Sequence, residues 1–252
     1  MKRTSKKMIY GVFYIALLGF LGMGIYNGIF ASAPTCFDGK LNQHETGVDC
    51  GGECEPCYLK NLESIKTMGS PEIFSLDSGR AVILSKIVNP NSAQDAASFS
   101  YTLNIYNSSG DIIEKAYGAD SLPASRTKYI VESGIRAPLY DITRVDMTFS
   151  NITWNPRGAS LQENLTVSRI VTTLEGSQIA ISGEVKNESA ISLRDIKLVG
   201  ILFNTFGQKI FASQTLVSTL GSFKSIPFVM RIPRDSHTES NVDLAATQVF
   251  AY

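Results

Sequence analysis

Residues 98–105, SFSYTLNI, alternate strictly between polar and apolar side chains. Alternation with a period of two predicts a β-strand that buries one face in a core and leaves the other face in water. The strand is followed at residues 107–110 by NSSG, which is typical of a hairpin loop in which the glycine takes a positive φ angle. This part of the chain therefore predicts an antiparallel sheet.

The same pattern returns at an offset of 97 residues. Pairs aligned at this offset include Val82–Ile179, Leu84–Ile181, Val88–Val185, Leu103–Gly200, Ile105–Leu202, Asn107–Asn204, Gly110–Gly207 and Met147–Leu244. A match at a fixed period over the length of a domain indicates duplicated structural units. We therefore predict two copies of one antiparallel β domain, at residues 62–155 and 162–252.

Each copy has the size of an immunoglobulin-like sandwich. A unit of about 97 residues with short strands and frequent turns fits seven strands in two sheets. The expected fold class is thus mainly β, with two tandem Ig-like antiparallel β-sandwiches. In the second copy Val199, Ile201 and Phe203 make the other face of one strand apolar too, which predicts that this strand is central or covered by a neighbour. Trp154, the only tryptophan, is expected to pack at the end of the first copy.

Several segments carry a family resemblance. GEVKN at residues 183–187 is followed by GILFNTFG at 200–207 and SFKSIPF at 222–228. These segments resemble the FxLyD family of extracytoplasmic β-sandwich domains, and the first copy matches more weakly through IVNPN at 87–91 and LNIYN at 103–107. In both copies asparagine stands where the family usually has aspartate. The resemblance implies surface or envelope modules without a shared catalytic activity.

The N-terminal segment predicts a membrane anchor. Residues 1–7 contain four basic side chains, and residues 8–30 contain no charge. A helix of this length spans roughly 34 Å, enough for the hydrocarbon core, whereas the apolar region of a signal peptide has only about 7–15 residues. The alternative is cleavage after Ala31-Ser32-Ala33, which would leave Pro34 as a poorly fitting first residue. We expect an uncleaved single-pass signal anchor in the cell membrane, with a cytoplasmic N-terminus and extracytoplasmic domains.

Charge and residue spacing limit the partners of the chain. Four of the 23 basic residues precede the span and all 23 acids follow it, so the exported part has a net charge of −4. This argues against a nucleic-acid binder, which would show a basic face. Gly24 and Gly28 have the spacing that lets two membrane helices approach closely, which predicts a homodimer contact.

The cysteines form a separate small module at residues 35–58. An even number of clustered cysteines outside the membrane predicts disulfides, with three pairings open to Cys36, Cys50, Cys54 and Cys57. The segment is similar to a Cys-rich extracellular module of pattern C-x-DG-x-x-N-x-x-E-x-x-x-DCGG-x-C-x-x-C. The alternative use of the four thiols is a zinc site with His44 nearby.

The same module offers oxygen ligands within 12 residues. Asp38, Asn42, Glu45 and Asp49 could contribute to a calcium site, since calcium takes six to eight oxygen atoms. The segment is not an EF-hand, because Gln43 replaces the glycine at position six of such a loop. The alternative interpretation is that these side chains cap turns through hydrogen bonds to the backbone.

No catalytic constellation is recognisable in the sequence. It lacks nucleophile-elbow and phosphate-loop motifs, and its two histidines are His44 and His237. We expect no cofactor apart from the calcium option, and a non-enzymatic binding or scaffolding protein with a protein or glycan partner. The alternatives are a passive spacer that lifts a partner off the membrane, and a hydrolase in which His237 would meet carboxylates. A contiguous exposed apolar patch would favour binding, and an evenly polar surface would favour the spacer.

Overall fold

A computed structural model describes residues 3–29, 35–42, 44–75, 79–158, 164–234 and 241–252. The side chains of residues 3–5 and 27–29 lie outside this description, as do Ala31 to Pro34, Gln43 and His237. The chain divides into two compact units, Met1–Leu62 and Glu63–Tyr252.

The first unit contains one long helix and a short module. Helix α1 extends over Arg3–Ile29, and its stretch Lys6–Tyr26 is long and apolar enough to cross a membrane. Every described side chain of this stretch is exposed, so within the described structure no other part of the chain covers the helix. The module that follows is held by turns and ends with a 3₁₀ turn, Cys57–Leu59.

The second unit is built from antiparallel β-strands. Its described strands are β1 (Lys66–Thr67), β2 (Glu72–Ser75), β3 (Ala81–Val88), β4 (Gln94–Tyr106), β5 (Ile112–Leu122), β6 (Thr127–Ile135), β7 (Arg144–Pro156), β8 (Leu165–Glu175), β9 (Gln178–Asn187), β10 (Leu193–Asn204), β11 (Lys209–Leu220), β12 (Ser225–Pro233) and β13 (Val242–Ala251). A second 3₁₀ turn, Leu139–Asp141, lies between β6 and β7. With its apolar helix, two disulfides and several antiparallel sheets, the chain confirms the predicted mainly β fold class.

The strands form four sheets. Sheet 1A consists of β3 with β1 and β2 on one edge and β6 on the other, and sheet 1B has the order β5-β4-β7. Sheet 2A has the order β12-β9-β8, and sheet 2B the order β11-β10-β13. The two halves therefore share one topology. In one sheet the central strand, β3 or β9, pairs with the strand before it and with a later strand. The strand that follows it, β4 or β10, is central in the other sheet.

The alternating segment that opened the sequence forms part of β4. Phe99, Tyr101, Leu103 and Ile105 are at most 5% exposed, and the polar residues between them are more exposed. They pack in the interior of the first half against the inward face of β3, which carries Ile83 and Ile87. Trp154 of β7 packs on the same core.

The hairpin loops after β4 and β10 have the predicted backbone. Gly110 and Gly207 have φ angles of 84° and 76°. Asn107 Oδ1 accepts the backbone N–H groups of Ser109 and Asp111. Asn204 Oδ1 likewise accepts two backbone N–H groups of its loop, so both asparagines close Asx-type turns.

Sheets 1A and 2B pack against each other and join the two halves. Val82, Leu84 and Val131 on the outer face of sheet 1A share one core with the second half. A Cβ atom at Gly200 would meet Met230 and Ile181 of sheet 2A, so that face of β10 points into its own sandwich. The opposite face carries Val199 and Ile201, which are 2% and 0% exposed. The sheets therefore stack in the order 1B, 1A, 2B, 2A. Strand β10, predicted to be central or covered by a neighbour, is both: it is the central strand of sheet 2B, and its second apolar face is buried.

In β3 the sequence alignment at an offset of 97 residues is wrong by one position. Val82 and Leu84 face the second half, whereas their aligned partners Ile179 and Ile181 belong to the inward face of sheet 2A. In the structure the inward residues of β3 and β9 correspond at an offset of 98, and β4 has a β-bulge between Ala96 and Phe99 that the start of β10 lacks. A shift of one residue places a side chain on the opposite face of a strand.

Candidate functional site

The four cysteines of the chain form two disulfides in the module after the helix. Cys36 is bonded to Cys54, and Cys50 to Cys57. Their Cα atoms are 5.6 Å and 4.8 Å apart, within the usual range for disulfides. This resolves the three pairings that the sequence left open. It also leaves no thiolate for the alternative zinc site, since zinc binds the deprotonated thiol.

The structure brings the four predicted oxygen ligands into one cluster of turns. Glu45 Oε2 accepts the backbone N–H groups of Asn42 and Asp49, over 3.2 Å and 3.1 Å. Asp38 Oδ2 accepts the amide of Asn42 over 2.8 Å, and its Oδ1 accepts the N–H of Lys40. Through the hydrogen bonds from Asn42 and Lys40, the pKa of Asp38 lies below its usual range.

These contacts show what the carboxylates do within the module. Asp49 Oδ1 accepts the N–H of Gly39, ten residues earlier, over 2.8 Å, so each of the three acids accepts backbone N–H groups of the module. A bound cation would share those oxygen atoms with the backbone donors. Asn42 Oδ1 is a buried acceptor without a hydrogen-bond partner among the described residues. Calcium binding at this cluster stays a prediction.

A cluster of charges lies where the two halves meet. Asp120, at the end of β5, is bonded to Lys128 of β6 through one carboxylate oxygen and to Lys197 of β10 through the other. The second contact measures 2.8 Å and crosses from sheet 1B to sheet 2B. The side chains of Lys128 and Asp120 are 2% and 8% exposed. Burial alone would raise the pKa of Asp120, but the two ammonium groups hold it below its usual range.

Aromatic side chains surround this cluster. The Tyr252 ring lies 5.1 Å from Lys128 Nζ, and its hydroxyl accepts the backbone N–H of Tyr129 over 3.0 Å. Tyr129 in turn contacts Phe250 with ring centroids 5.0 Å apart. Burial raises the pKa of Tyr252 above its usual range, so the hydroxyl stays neutral at physiological pH. Ring and charge contacts thus connect β6 to the C-terminal strand.

Two cavities open on the described surface of the second unit. One of about 200 Å³ lies beside the charge cluster and is lined by Arg126, Lys128 and Tyr252. The other, of about 490 Å³, lies between β1, β2 and β7 and is lined by Arg144 and Asp146, among others. Among the described residues neither cavity has a histidine or a cysteine in its lining, and His237 lies outside the described residues.

The exposed apolar side chains of the second unit are mostly dispersed. On the outer face of sheet 1B, Tyr117 is 69% exposed and its neighbours across the strands are Thr102 and Thr148. The two most exposed aromatic residues of this unit, Tyr140 at 85% and Phe206 at 79%, lie on loops.

Tyr140 and Phe206 lie at the same end of the stack. Strand β2 contacts the 3₁₀ turn that holds Tyr140. Its Glu72 is paired with Lys209, which follows Phe206 by three residues. The chain enters the unit near the opposite end, where the Glu63 N–H donates to Asn91 Oδ1 in the loop after β3.

Sequence reasoning missed the charge cluster. Asp120, Lys128 and Lys197 are distributed over three strands, and no local motif joins them. One signal was present: Lys128 occupies the strand position that Ile226 holds 98 residues later, and a lysine that replaces a core residue needs a buried partner.

Comparison with known proteins adds no family. No protein-family model matches the chain, and no curated protein matches it. Among solved structures, β-glucuronidase 2 of Bacteroides uniformis bound to cyclophellitol-6-carboxylate aziridine is similar over 61% of this chain, with 15% identity and a TM-score of 0.21. A tandem CBM22 domain of Paenibacillus barcinonensis Xyn10C is similar over 77% of this chain and 87% of its own, with 9% identity and a TM-score of 0.15. The aligned region spans about a fifth (21%) of the glucuronidase, and at these TM-scores neither likeness carries an argument about fold or function.

Proposed function

We propose that the chain is a membrane-anchored extracytoplasmic binding or scaffolding protein without catalytic activity of its own. It would hold two FxLyD-type, Ig-like β-sandwiches outside the membrane as one stiff body and present loops to a protein or glycan partner. The observation that carries this proposal is the buried junction between the two halves, which is built to fix them together.

The junction combines apolar and polar contacts. Phe74 of β2 contacts Phe211 of β11 with ring centroids 6.1 Å apart, and the Lys197–Asp120 bond lies at the other end of the interface. Contacts at both ends oppose a hinge between the sandwiches, since bending would expose apolar surface or separate buried charges. A stiff support suits a protein that positions a binding surface at a fixed place.

The helix supports anchoring. An 18-residue window within Lys6–Tyr26 has a mean hydropathy of 2.0, and its described side chains are uncovered by protein. An apolar helix without a protein cover is stable in lipid, which supplies the apolar surroundings that water does not. The basic residues before it favour a cytoplasmic N-terminus and export of everything that follows.

The loops at the end that carries Tyr140 and Phe206 are the proposed binding surface. Loops on a rigid scaffold commonly carry recognition residues, and exposed aromatic side chains supply contact area at a small cost in conformational entropy.

A photo-crosslinking residue tests this surface in the native membrane. It replaces Tyr140, Phe206 or, as the matched control, Tyr117 on the outer face of β5. Crosslinks to one defined partner at the two loop positions, with none at position 117, are expected. Equal or absent crosslinking at all three positions would contradict the binding proposal. Protease digestion of sealed cells checks the orientation, because only an exported second unit is cleaved from outside.

A passive spacer is the second candidate. The polar surroundings of Tyr117 on sheet 1B favour it, because an evenly polar outer face offers no obvious docking site. Replacement of both Tyr140 and Phe206 by serine should abolish association with the partner if the chain is a binding protein. If the chain is a spacer, the replacement should have no effect on its association with other proteins.

Calcium at Asp38, Asn42, Glu45 and Asp49 is an optional part of the proposal. Three carboxylates and a buried amide oxygen without a partner support it. Calorimetric titration of the folded chain with calcium tests it, with Asp38→Asn as the variant that should weaken any binding.

A further inference from the structure

We propose that the disulfide module itself docks on the lipid surface, with Phe37 and Leu41 inserted at the boundary between headgroups and acyl chains. The proposal rests on the membrane anchoring proposed above and adds a second, peripheral contact with the same bilayer. It concerns residues 35–62, which comprise the predicted Cys-rich module at 35–58 and the four residues after it.

The module exposes an unusual amount of apolar side chain for its size. Phe37 is 93% exposed and Leu41 63%, while Val48 and Tyr58 are each about half exposed, at 49% and 48%. Single exposed apolar residues are common, whereas several that lie close together mark a candidate contact surface.

Hydrogen bonds place these side chains on adjacent turns. The Gly39 N–H donates to Asp49 Oδ1 over 2.8 Å, which brings the turn of Phe37 and Leu41 next to Val48. Lys60 Nζ donates to the Val48 carbonyl over 2.7 Å, which brings the turn after Tyr58 to the same place. The exposed apolar residues therefore lie on turns that neighbour one another.

Two lysines lie beside the exposed apolar side chains of these turns. Lys40 lies between Phe37 and Leu41 in the chain, and the ammonium group of Lys60 donates to the Val48 carbonyl. The acids of the same turns, Asp38 and Asp49, accept backbone N–H groups, and Asp49 also pairs with Lys60 over 3.8 Å. With five acids and two lysines, residues 35–62 carry a net negative charge, so the apolar side chains rather than the charge favour the lipid. Apolar and aromatic side chains mixed with lysines are typical of segments that lie at the membrane interface.

The short segment between the helix and the module favours the bilayer as the partner of the exposed apolar side chains. Helix α1 ends at Ile29 and the first disulfide begins at Cys36. Seven residues reach at most about 25 Å when fully extended. If the helix spans the membrane, the module cannot leave the neighbourhood of the headgroups, and its apolar turns are within reach of the lipid.

Tryptophan fluorescence in vesicles tests the proposal on the full chain. Trp154 is first replaced by phenylalanine, which leaves a background without tryptophan. Single tryptophans are then introduced as Phe37→Trp, as Phe13→Trp in the helix, and as Tyr140→Trp in an exposed loop of the second unit. The vesicles contain phosphatidylcholine and phosphatidylglycerol, with or without bromine on the acyl chains.

We expect emission from Phe37→Trp to be blue-shifted from that of Tyr140→Trp and quenched at least about twofold by brominated lipid, as for a side chain at the interface. Phe13→Trp should be quenched most. Quenching at position 13 without quenching at 37, or equal quenching at 37 and 140, would overturn lipid docking and leave the anchor intact. A blue shift at 37 without bromine quenching would mean that protein, such as a second copy of the chain, covers the module, and would also overturn it.

Loss of quenching at position 13 would overturn the anchor and the docking proposal together, so the two failures are distinguishable. A thiol titration of each variant without reductant shows whether the module has kept both disulfides. Leu41→Trp replaces Phe37→Trp if that variant fails this check, and its expected quenching is the same.

Discussion

Asn187 at the end of β9 occupies the place that Asn89 occupies after β3, and both side chains are fully buried. Asn89 Nδ2 donates to the carbonyls of Gln94 and Leu122, over 2.8 Å and 3.2 Å. Asn187 Nδ2 donates to the carbonyl of Ile191 over 2.7 Å and to that of Leu220 over 3.2 Å. In each half one asparagine thus links the chain at or just before the start of the next strand, β4 or β10, to the end of β5 or β11.

Replacement of either asparagine by alanine is expected to destabilise the second unit strongly. Asn187→Ala removes the Nδ2 donor from the Ile191, Leu220 and Gly221 carbonyls, and the loss at the buried Leu220 carbonyl alone should cost about 1–3 kcal/mol. Urea unfolding should show a lower midpoint for Asn187→Ala and for Asn89→Ala. Asn164→Ala, at an exposed site, should change the free energy of unfolding by less than about 0.5 kcal/mol. Equal midpoints for all three variants would show that the buried hydrogen bonds are replaced by water.

The sequence predicted the inward face of β4 correctly but misaligned β3 with β9, and the two asparagines show why. Alternation in β4 was sufficient, because period two is set by local geometry and Leu103 and Ile105 are fully buried. The alignment of β3 with β9 failed by one residue, because both faces of β3 are apolar and the pattern could not select the inward one. Its outer face is apolar only because sheet 2B covers it, and that is a tertiary contact. The buried pair Asn89 and Asn187, 98 residues apart, would have fixed the register.

Loss of the Asp120 carboxylate is expected to weaken the junction between the halves. Asp120→Asn leaves the buried Lys128 ammonium without its counter-charge, and breaking a buried ion pair from one side costs about 3–5 kcal/mol. Urea unfolding measures this loss. The matched control is Asp146→Asn, which breaks the exposed Arg144–Asp146 pair and should cost no more than about 1 kcal/mol. If the two variants unfold alike, the buried cluster does not stabilise the junction.

We expect the Asp120 carboxylate to make the stability of the folded second unit depend on pH. Burial opposes its ionisation, but Lys128 and Lys197 outweigh burial and hold the pKa of Asp120 below its usual range in the folded chain. A lowered pKa contributes stability above the unfolded-state pKa of about 3.9, and that stability is lost as the pH falls through the folded-state pKa. Thermal unfolding between about pH 6 and about pH 2 should show a loss of stability in acid that is smaller in Asp120→Asn. A parallel acid loss in both proteins would assign it to other carboxylates.

The close approach of Gly118 to Tyr101 predicts a position that accepts no side chain. A Cβ atom at Gly118 would lie 2.2 Å from the Tyr101 ring, whose hydroxyl donates to Glu132 over 2.5 Å. Gly118→Ala should displace the ring and cost about 1–3 kcal/mol, as for other overpacked sites. The control is Gly221→Ala, where the new Cβ would meet only the flexible Lys224 side chain at 3.3 Å. Near-ultraviolet circular dichroism should change for the first variant alone, and no change would mean that Tyr101 moves aside at little cost.

The sequence predicted the disulfide module better than it predicted the charge cluster. The sequence located the module, its disulfides and its cluster of acids, because these features are local in the chain and Asp38 and Asp49 lie only 11 positions apart. It could not assign the pairing Cys36–Cys54, which depends on how the turns fold. For the charge cluster at Asp120 the sequence offers one signal, a lysine at the position equivalent to Ile226, since the partners come from strands that meet only after both halves have formed.

Glu45 is expected to control the local stability of the disulfide module. It is 9% exposed, and its Oε2 accepts the N–H groups of Asn42 and Asp49. Glu45→Ala removes two hydrogen bonds to a charged acceptor, each worth about 1.5–3 kcal/mol, so the module should open locally more often. Because every 1.4 kcal/mol corresponds to about a tenfold change in an equilibrium, the disulfides should be reduced by dithiothreitol at least about tenfold faster. Glu53→Ala, at an exposed site of the same module, is the control and should be reduced at the wild-type rate. Equal rates for the two variants would show that the disulfides alone, rather than the turn caps, hold the module closed.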